Sequence, residues 1–114
     1  MTAILVLRAA VDRVVSDKAM PGLSLRQLGV LLRVADAKEP LSVRELAEPM
    51  KISKPAVTRA IDRLEHLLLI ERRQGKLDRR LIELRITAAG RAYLAELDRV
   101  ATRTEKEVAA AAAA

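Results

Sequence analysis

Apolar residues recur along the chain at helical spacing in several stretches and alternate in one. Ile4, Leu7, Val11 and Val14 step by 3, 4 and 3, which places them on one stripe of a helix over 3–18. The sequence "MPG" at 20–22 breaks that pattern. A second helix starts at Ser24, where Ser24 and Gln27 have capping-box spacing, and its buried face is expected to be Leu28, Leu31, Leu32 and Ala35. "DAKEP" at 36–40 ends it. Ser42 and Glu45 repeat the capping box before a short third helix with Pro49 near its end. Ser53 caps a fourth helix, "SKPAVTRAIDRLE" at 53–65, with Pro55 tolerated in the first turn. Val57, Ile61, Leu64 and Leu68 are expected to face inward, leaving Thr58, Arg59, Asp62, Arg63 and His66 outside.

Residues 69–73 and 80–86 predict two strands. Ile82, Leu84 and Ile86 alternate with Glu83 and Arg85, the period of a half-buried strand. The polar loop "QGKLDR" joins them, with Gly75 expected to supply turn freedom. Thr87 caps a long last helix, lined on one side by Tyr93, Leu94, Leu97, Val100, Ala101 and Val108. The expected fold class is mainly α with a small two- or three-stranded antiparallel β-wing (α+β).

Composition narrows this further. With 114 residues the chain is expected to be a single domain. Hydrophobic residues are 51% and aromatics 1%, so the core must be Leu, Val, Ile and Ala, a set that favours helices. The lack of cysteine removes disulfides, thiol redox sensing and Cys-based zinc sites. The single histidine, His66, cannot build a metal site without several carboxylates, and no Gly-rich phosphate loop or nucleophile motif is present. No enzyme activity, metal or cofactor is expected. "AILVL" is too short for a signal or a membrane span and is soon followed by Arg8 and Asp12, so the chain reads as cytoplasmic, with no membrane partner.

The net charge of +6 is unevenly spread. Residues 51–85 hold ten Lys/Arg against five Asp/Glu, while 19–50 and 86–114 each balance to zero. Two capped helices with a tight break, followed by a basic two-stranded loop, describe a helix-turn-helix with a wing. The second helix of such a pair fits the DNA major groove. A solvated charged face is the ordinary reading of one basic helix. Arg72, Arg73, Lys76, Arg79 and Arg80 lie within nine residues, opposed there only by Asp78, and such a hairpin is repulsive unless a polyanion compensates it.

The blocks "LSLRQLGVLL", "LSVRELAEPMKISKPAVTRAIDRLE", "LIERRQGKLDRR" and "LRITAAGRAYL" resemble, in order, those of MarR-family transcription regulators. The resemblance implies a winged-helix homodimer on palindromic double-stranded DNA, usually a repressor, often released by a small apolar or phenolic effector. By it, Ser53, Lys54, Pro55, Thr58, Arg59 and Arg63 map onto the recognition helix. Arg79 and Arg80 map onto the wing arginines, beside Arg73 and Lys76, and Asp78 onto the acid that orients them. Tyr93 is either core or part of a ligand pocket. Residues 24–87 are expected to form the DNA-binding core, and 1–22 with 88–114 the helices for dimerisation.

The chain departs from the family in two places. The family usually has Gly where Leu68 stands. A Leu there loses roughly 1 kcal/mol or more in the left-handed conformation, so the helix is expected to end differently and aim the wing differently. The chain also lacks a further C-terminal helix common in the family, which predicts a small or missing ligand cavity. The competing function is a winged helix that binds protein without sequence-specific DNA binding.

Overall fold

The computed structural model describes residues 1–114. Seven elements follow one another: α1 (Thr2–Ser16), α2 (Leu25–Asp36), α3 (Val43–Met50), α4 (Lys54–His66), β1 (Ile70–Gln74), β2 (Ile82–Ile86) and α5 (Ala88–Ala113). They fall into two compact units, Leu23–Arg91, and Met1–Gly22 with Ala92–Ala114.

In the unit Leu23–Arg91, local chemistry starts each helix. The Ser24 hydroxyl accepts from the Gln27 N–H at 3.1 Å while the Gln27 side chain accepts from the Ser24 N–H at 2.9 Å. Ser42 and Glu45 do the same at 3.3 and 3.1 Å. Both boxes satisfy backbone donors that the first turn leaves free. The core is aliphatic: Leu31, Leu46, Val57, Ile61, Leu64, Ile70 and Leu84 are essentially sealed from solvent. β1 and β2 pair antiparallel, with Ile70 opposite Ile86 and Gln74 opposite Ile82. Leu41 adds one further rung, accepting from the Leu84 N–H at 2.9 Å. This is a winged helix-turn-helix.

Both helix ends that aim the next element are left-handed, and neither uses glycine. Lys51 follows α3 at φ 55° and Leu68 follows α4 at φ 63°. After α4, the Leu69 N–H reaches the Leu64 carbonyl at 2.9 Å and the Leu68 N–H reaches Glu65 at 2.9 Å, the paired bonds of a Schellman end. The expectation that Leu68 would make the helix end differently is therefore overturned. A latch holds the strained turn. The Thr87 hydroxyl donates to the Leu68 carbonyl at 2.5 Å and accepts from the Gly90 N–H at 3.0 Å, and the Thr87 N–H donates to the Leu69 carbonyl at 3.1 Å. Gly90 allows this approach, because a β-carbon there would collide with the Leu69 carbonyl oxygen and stand 2.7 Å from Ile86 Cγ1.

Other expected faces also shift. In α2 the buried residues are Val30, Leu31 and Val34, whereas Leu32 and Ala35 are exposed. The core lies on one side of Leu31 and the expected stripe continued on the other. In α4, Ala56 and Ala60 join Val57, Ile61 and Leu64 inside, and Leu68 is 71% exposed. Gly75 has no positive φ. Its role is steric, since a β-carbon would stand 2.5 Å from the Asp78 carbonyl oxygen.

In the unit of Met1–Gly22 with Ala92–Ala114, Arg13 ties α1 to α5 by donating to Glu96 at 2.8 Å. Arg99 donates to the same carboxylate at 2.6 and 3.1 Å. Tyr93 is buried, and its hydroxyl donates to the Pro21 carbonyl at 2.8 Å. Met1, Ile4, Leu7, Val11 and Val15 are exposed along one face of α1. The expected stripe thus lies mostly outward, with only Val14 half-buried. No helix is long and apolar enough to cross a membrane.

Candidate nucleic-acid interface

The candidate interface begins at the start of α4. The Ser53 hydroxyl accepts from the Ala56 N–H at 3.2 Å, with Lys54 and Pro55 opening the helix. Since Ala56, Val57, Ala60, Ile61 and Leu64 anchor one side, Lys54, Pro55, Arg59, Asp62, Arg63 and His66 lie exposed, and Thr58 is half-buried. Lys54, Arg59 and Arg63 make no ion pair within the chain.

One contributor was not foreseen. Ser24, Arg26 and Gln27 of α2's start share a recess of about 130 Å³ with Ala56, Arg59 and Ala60 of α4. Arg26 is exposed and also unpaired. Two unneutralised guanidiniums on one recess of that size suit an anionic oxygen group. Nothing in the spacing of Arg26 and Arg59 could signal this, because packing of α2 on α4 creates it.

The wing divides its charges. Arg72 faces α4, where its guanidinium meets Asp62 at 2.5 Å and Glu65 at 2.6 Å, and its N–H donates to Glu65 at 3.3 Å. Burial works against its charge, but the two carboxylates more than offset this and raise its pKa. Arg72 is thus a brace between wing and helix, and the expectation that only Asp78 opposes the wing cations is corrected. Strand alternation turns Arg73 to the opposite face of the sheet, where it pairs with Glu71 at 2.9 Å. Arg73 is therefore set apart from the α4 face. Lys76 and Arg79 are exposed and unpaired in the connecting turn, and Leu77 between Lys76 and Asp78 is fully exposed.

Asp78 holds Arg80 by two side-chain bonds, Oδ1 to Nε at 3.1 Å and Oδ2 to Nη2 at 3.0 Å, and accepts from the Arg80 N–H at 3.0 Å. These bonds lower the Asp78 pKa, the side-chain pair first and the backbone bond second. Arg80 is clamped yet 89% exposed.

The elements so arranged define a winged helix-turn-helix protein with one basic helix and a basic wing. The MarR family model matches residues 22–81, just over half of the chain, and the chain belongs to the MarR family. It is similar to the HTH-type transcriptional repressor NsrR of Streptomyces coelicolor, 43% identical over 54 residues. That match covers 47% of this chain and 36% of the relative, so it spans little more than a third of that protein. The fold is similar to transcriptional regulator Tm0710 from Thermotoga maritima, with a TM-score of 0.79 at 20% identity over 95% of this chain and 72% of that one. It is also similar to Streptococcus pneumoniae FabT, solved in complex with DNA, with a TM-score of 0.71 at 16% identity over 93% of this chain and 71% of that one. At these identities the two solved structures speak for the fold alone.

Proposed function

We propose that the protein binds double-stranded DNA sequence-specifically as a homodimeric transcriptional repressor of palindromic sites. One observation carries the reading: Lys54, Arg59 and Arg63 on α4, and Lys76 and Arg79 on the wing, are exposed without partners, while Arg72 fastens wing to helix. α4 is held by its apolar face and offers the opposite face to the major groove. Arg80, aimed by Asp78, suits the minor groove or its phosphates. The repressor assignment draws on the name of the NsrR relative.

A second copy supplies the two-fold symmetry that a palindrome requires. The exposed face of Met1, Ile4, Leu7, Val11 and Val15 favours it, because so continuous an apolar stripe is costly to leave in water. Sedimentation showing only monomer at micromolar concentration opposes this part. Relief by a small apolar or phenolic molecule near Tyr93 is carried by the family resemblance. Such a molecule must share space with a hydroxyl already bonded to Pro21. Calorimetry with phenolic and lipophilic acids tests it, and absence of binding opposes it.

The deciding experiment is mobility shift against salt, followed by selection of bound sequences from random DNA. A dimer that neutralises about eight phosphates gives a slope of log K on log salt near −7, with half-sites about 10 base pairs apart. A slope near −2, or no retained sequence, favours the protein-interaction reading instead.

A further inference from the structure

A second charged site lies on the wing, on the sheet face turned away from α4. Glu71 and Arg85 stand opposite each other in the strand register, as do Arg73 and Glu83, so all four side chains share that outer face. A cleft of about 350 Å³ runs between this face, the α2–α3 connection and the first turn of α5; it is lined by Lys38, Glu39, Glu71, Arg73, Arg85 and Arg91, among others.

We propose that this cleft binds a small polar anion, a molecule bearing carboxylate or phosphate. Of its two carboxylates, Glu71 is committed to Arg73 at 2.9 Å, and Glu83, beside the cleft, is committed to Arg85 Nη2 at 3.2 Å. What remains is cationic. Lys38 and Arg91 make no ion pair, with Glu39 the single uncommitted carboxylate of the lining. Arg85 Nε is buried without any hydrogen-bond partner. A buried donor left unpaired is costly, and small adjustments of a flexible arginine bring it to an acceptor placed beside it.

Carboxylate and phosphate oxygens match guanidinium donors in pairs, and two arginines from different elements favour a ligand with several such oxygens. The volume suits a small metabolite, and the charged lining selects against the lipophilic acids considered for the Tyr93 region. The ligand would join β1 and β2 to α5 at the base of the hairpin whose turn carries Arg79 and Arg80. Any coupling to that turn must act in both directions.

The test uses the full chain without DNA, so it stands apart from the DNA-binding proposal. Succinate and inorganic phosphate are titrated by calorimetry and by unfolding midpoint against sodium chloride of equal ionic strength. At least one is expected to bind saturably and raise the midpoint beyond the chloride control; which one does so separates the carboxylate from the phosphate source. Arg91→Gln, an exposed and unpaired position, is expected to leave the ligand-free midpoint unchanged and weaken binding about tenfold; Arg85→Gln, which also gives up the pair with Glu83, is expected to weaken binding to a similar extent. Arg59→Ala removes any contribution from the recess that Arg59 shares with Arg26, and saturable binding at the cleft is expected to persist in it. The proposal is overturned if neither probe saturates up to tens of millimolar, if Arg91→Gln and Arg85→Gln bind like the parent, or if Arg59→Ala abolishes binding.

Discussion

Asp78 reaches two residues along the turn and takes the Arg80 guanidinium side-on, through bonds of 3.0 and 3.1 Å, while accepting the Arg80 N–H at 3.0 Å. The clamp fixes the direction of an arginine that remains almost wholly exposed. A side chain already confined loses less rotamer freedom when it enters a groove.

From this follows an ordered pair of effects on DNA. Arg80→Ala is expected to weaken specific and nonspecific DNA alike and to lower the salt slope by about one per subunit. Asp78→Ala is expected to be a milder version, since the charge stays and only its direction is lost. Titration of both variants across a salt series checks this. If Asp78→Ala binds more tightly at every salt concentration, Asp78 acts only as a repelling charge.

Arg59 and Arg26 share a recess but are expected to fail differently. On the proposed reading Arg59, on the exposed face of α4, is turned to base edges, where an arginine–guanine pair contributes roughly 1–3 kcal/mol of discrimination. Arg59→Ala should relax sequence preference as well as weaken binding. On the same reading Arg26, exposed at the start of α2, meets phosphate. Arg26→Ala should weaken all sequences equally and reduce the salt slope by about one per subunit. Selection of bound sequences with each variant separates the two, and an altered consensus for Arg26→Ala contradicts the phosphate role.

The parts of the fold legible in the sequence are those set by bonds three residues long. Ser24 with Gln27, Ser42 with Glu45, and Ser53 with Ala56 each complete a cap within one turn. The Asp78–Arg80 contact is equally local. What escaped the sequence depends on elements meeting. Arg72 looked like a free wing cation until α4 brought Asp62 and Glu65 against it. Leu32 and Ala35 fit a helical stripe, but which side of Leu31 becomes core is decided by the neighbours. Leu68 looked unable to take a left-handed turn because the threonine that latches it is 19 residues away.

Acid stability should depend on Glu96. Hydrogen bonds from Arg99 and then Arg13 hold its carboxyl at about 2, against an ordinary 4.5. A carboxyl whose pKa is lower in the folded state adds stability that is fully present above the unfolded value and is lost as pH falls toward the folded one. The advantage of the parent over Glu96→Gln is thus expected to be constant at neutral pH and to shrink from about pH 4.5 to about pH 2. Denaturant unfolding of both proteins across that range measures it. An equal gap at the acid end means the pairs with Arg13 and Arg99 do not set the pKa.

The turn between α4 and β1, with Gly90 of α5 packed against it, allows two substitutions with opposite signs. Leu68 holds φ 63° with its side chain 71% exposed, so it bears a left-handed penalty of roughly 1–2 kcal/mol while burying little in return. Leu68→Gly removes the penalty and adds some unfolded-state entropy, for an expected net gain of about 1 kcal/mol. Gly90 is the reverse case. It is buried against the Leu69 carbonyl and Ile86, and a methyl group there must push α5 off the strand or break the Thr87 latch. Gly90→Ala is expected to cost about 3 kcal/mol, at the upper end for overpacking because the obstacle includes backbone. Chemical denaturation of the two single variants and their combination measures both. If Leu68→Gly destabilises while Gly90→Ala is neutral, the left-handed turn and the close approach of α5 do not carry the strain and crowding argued for them.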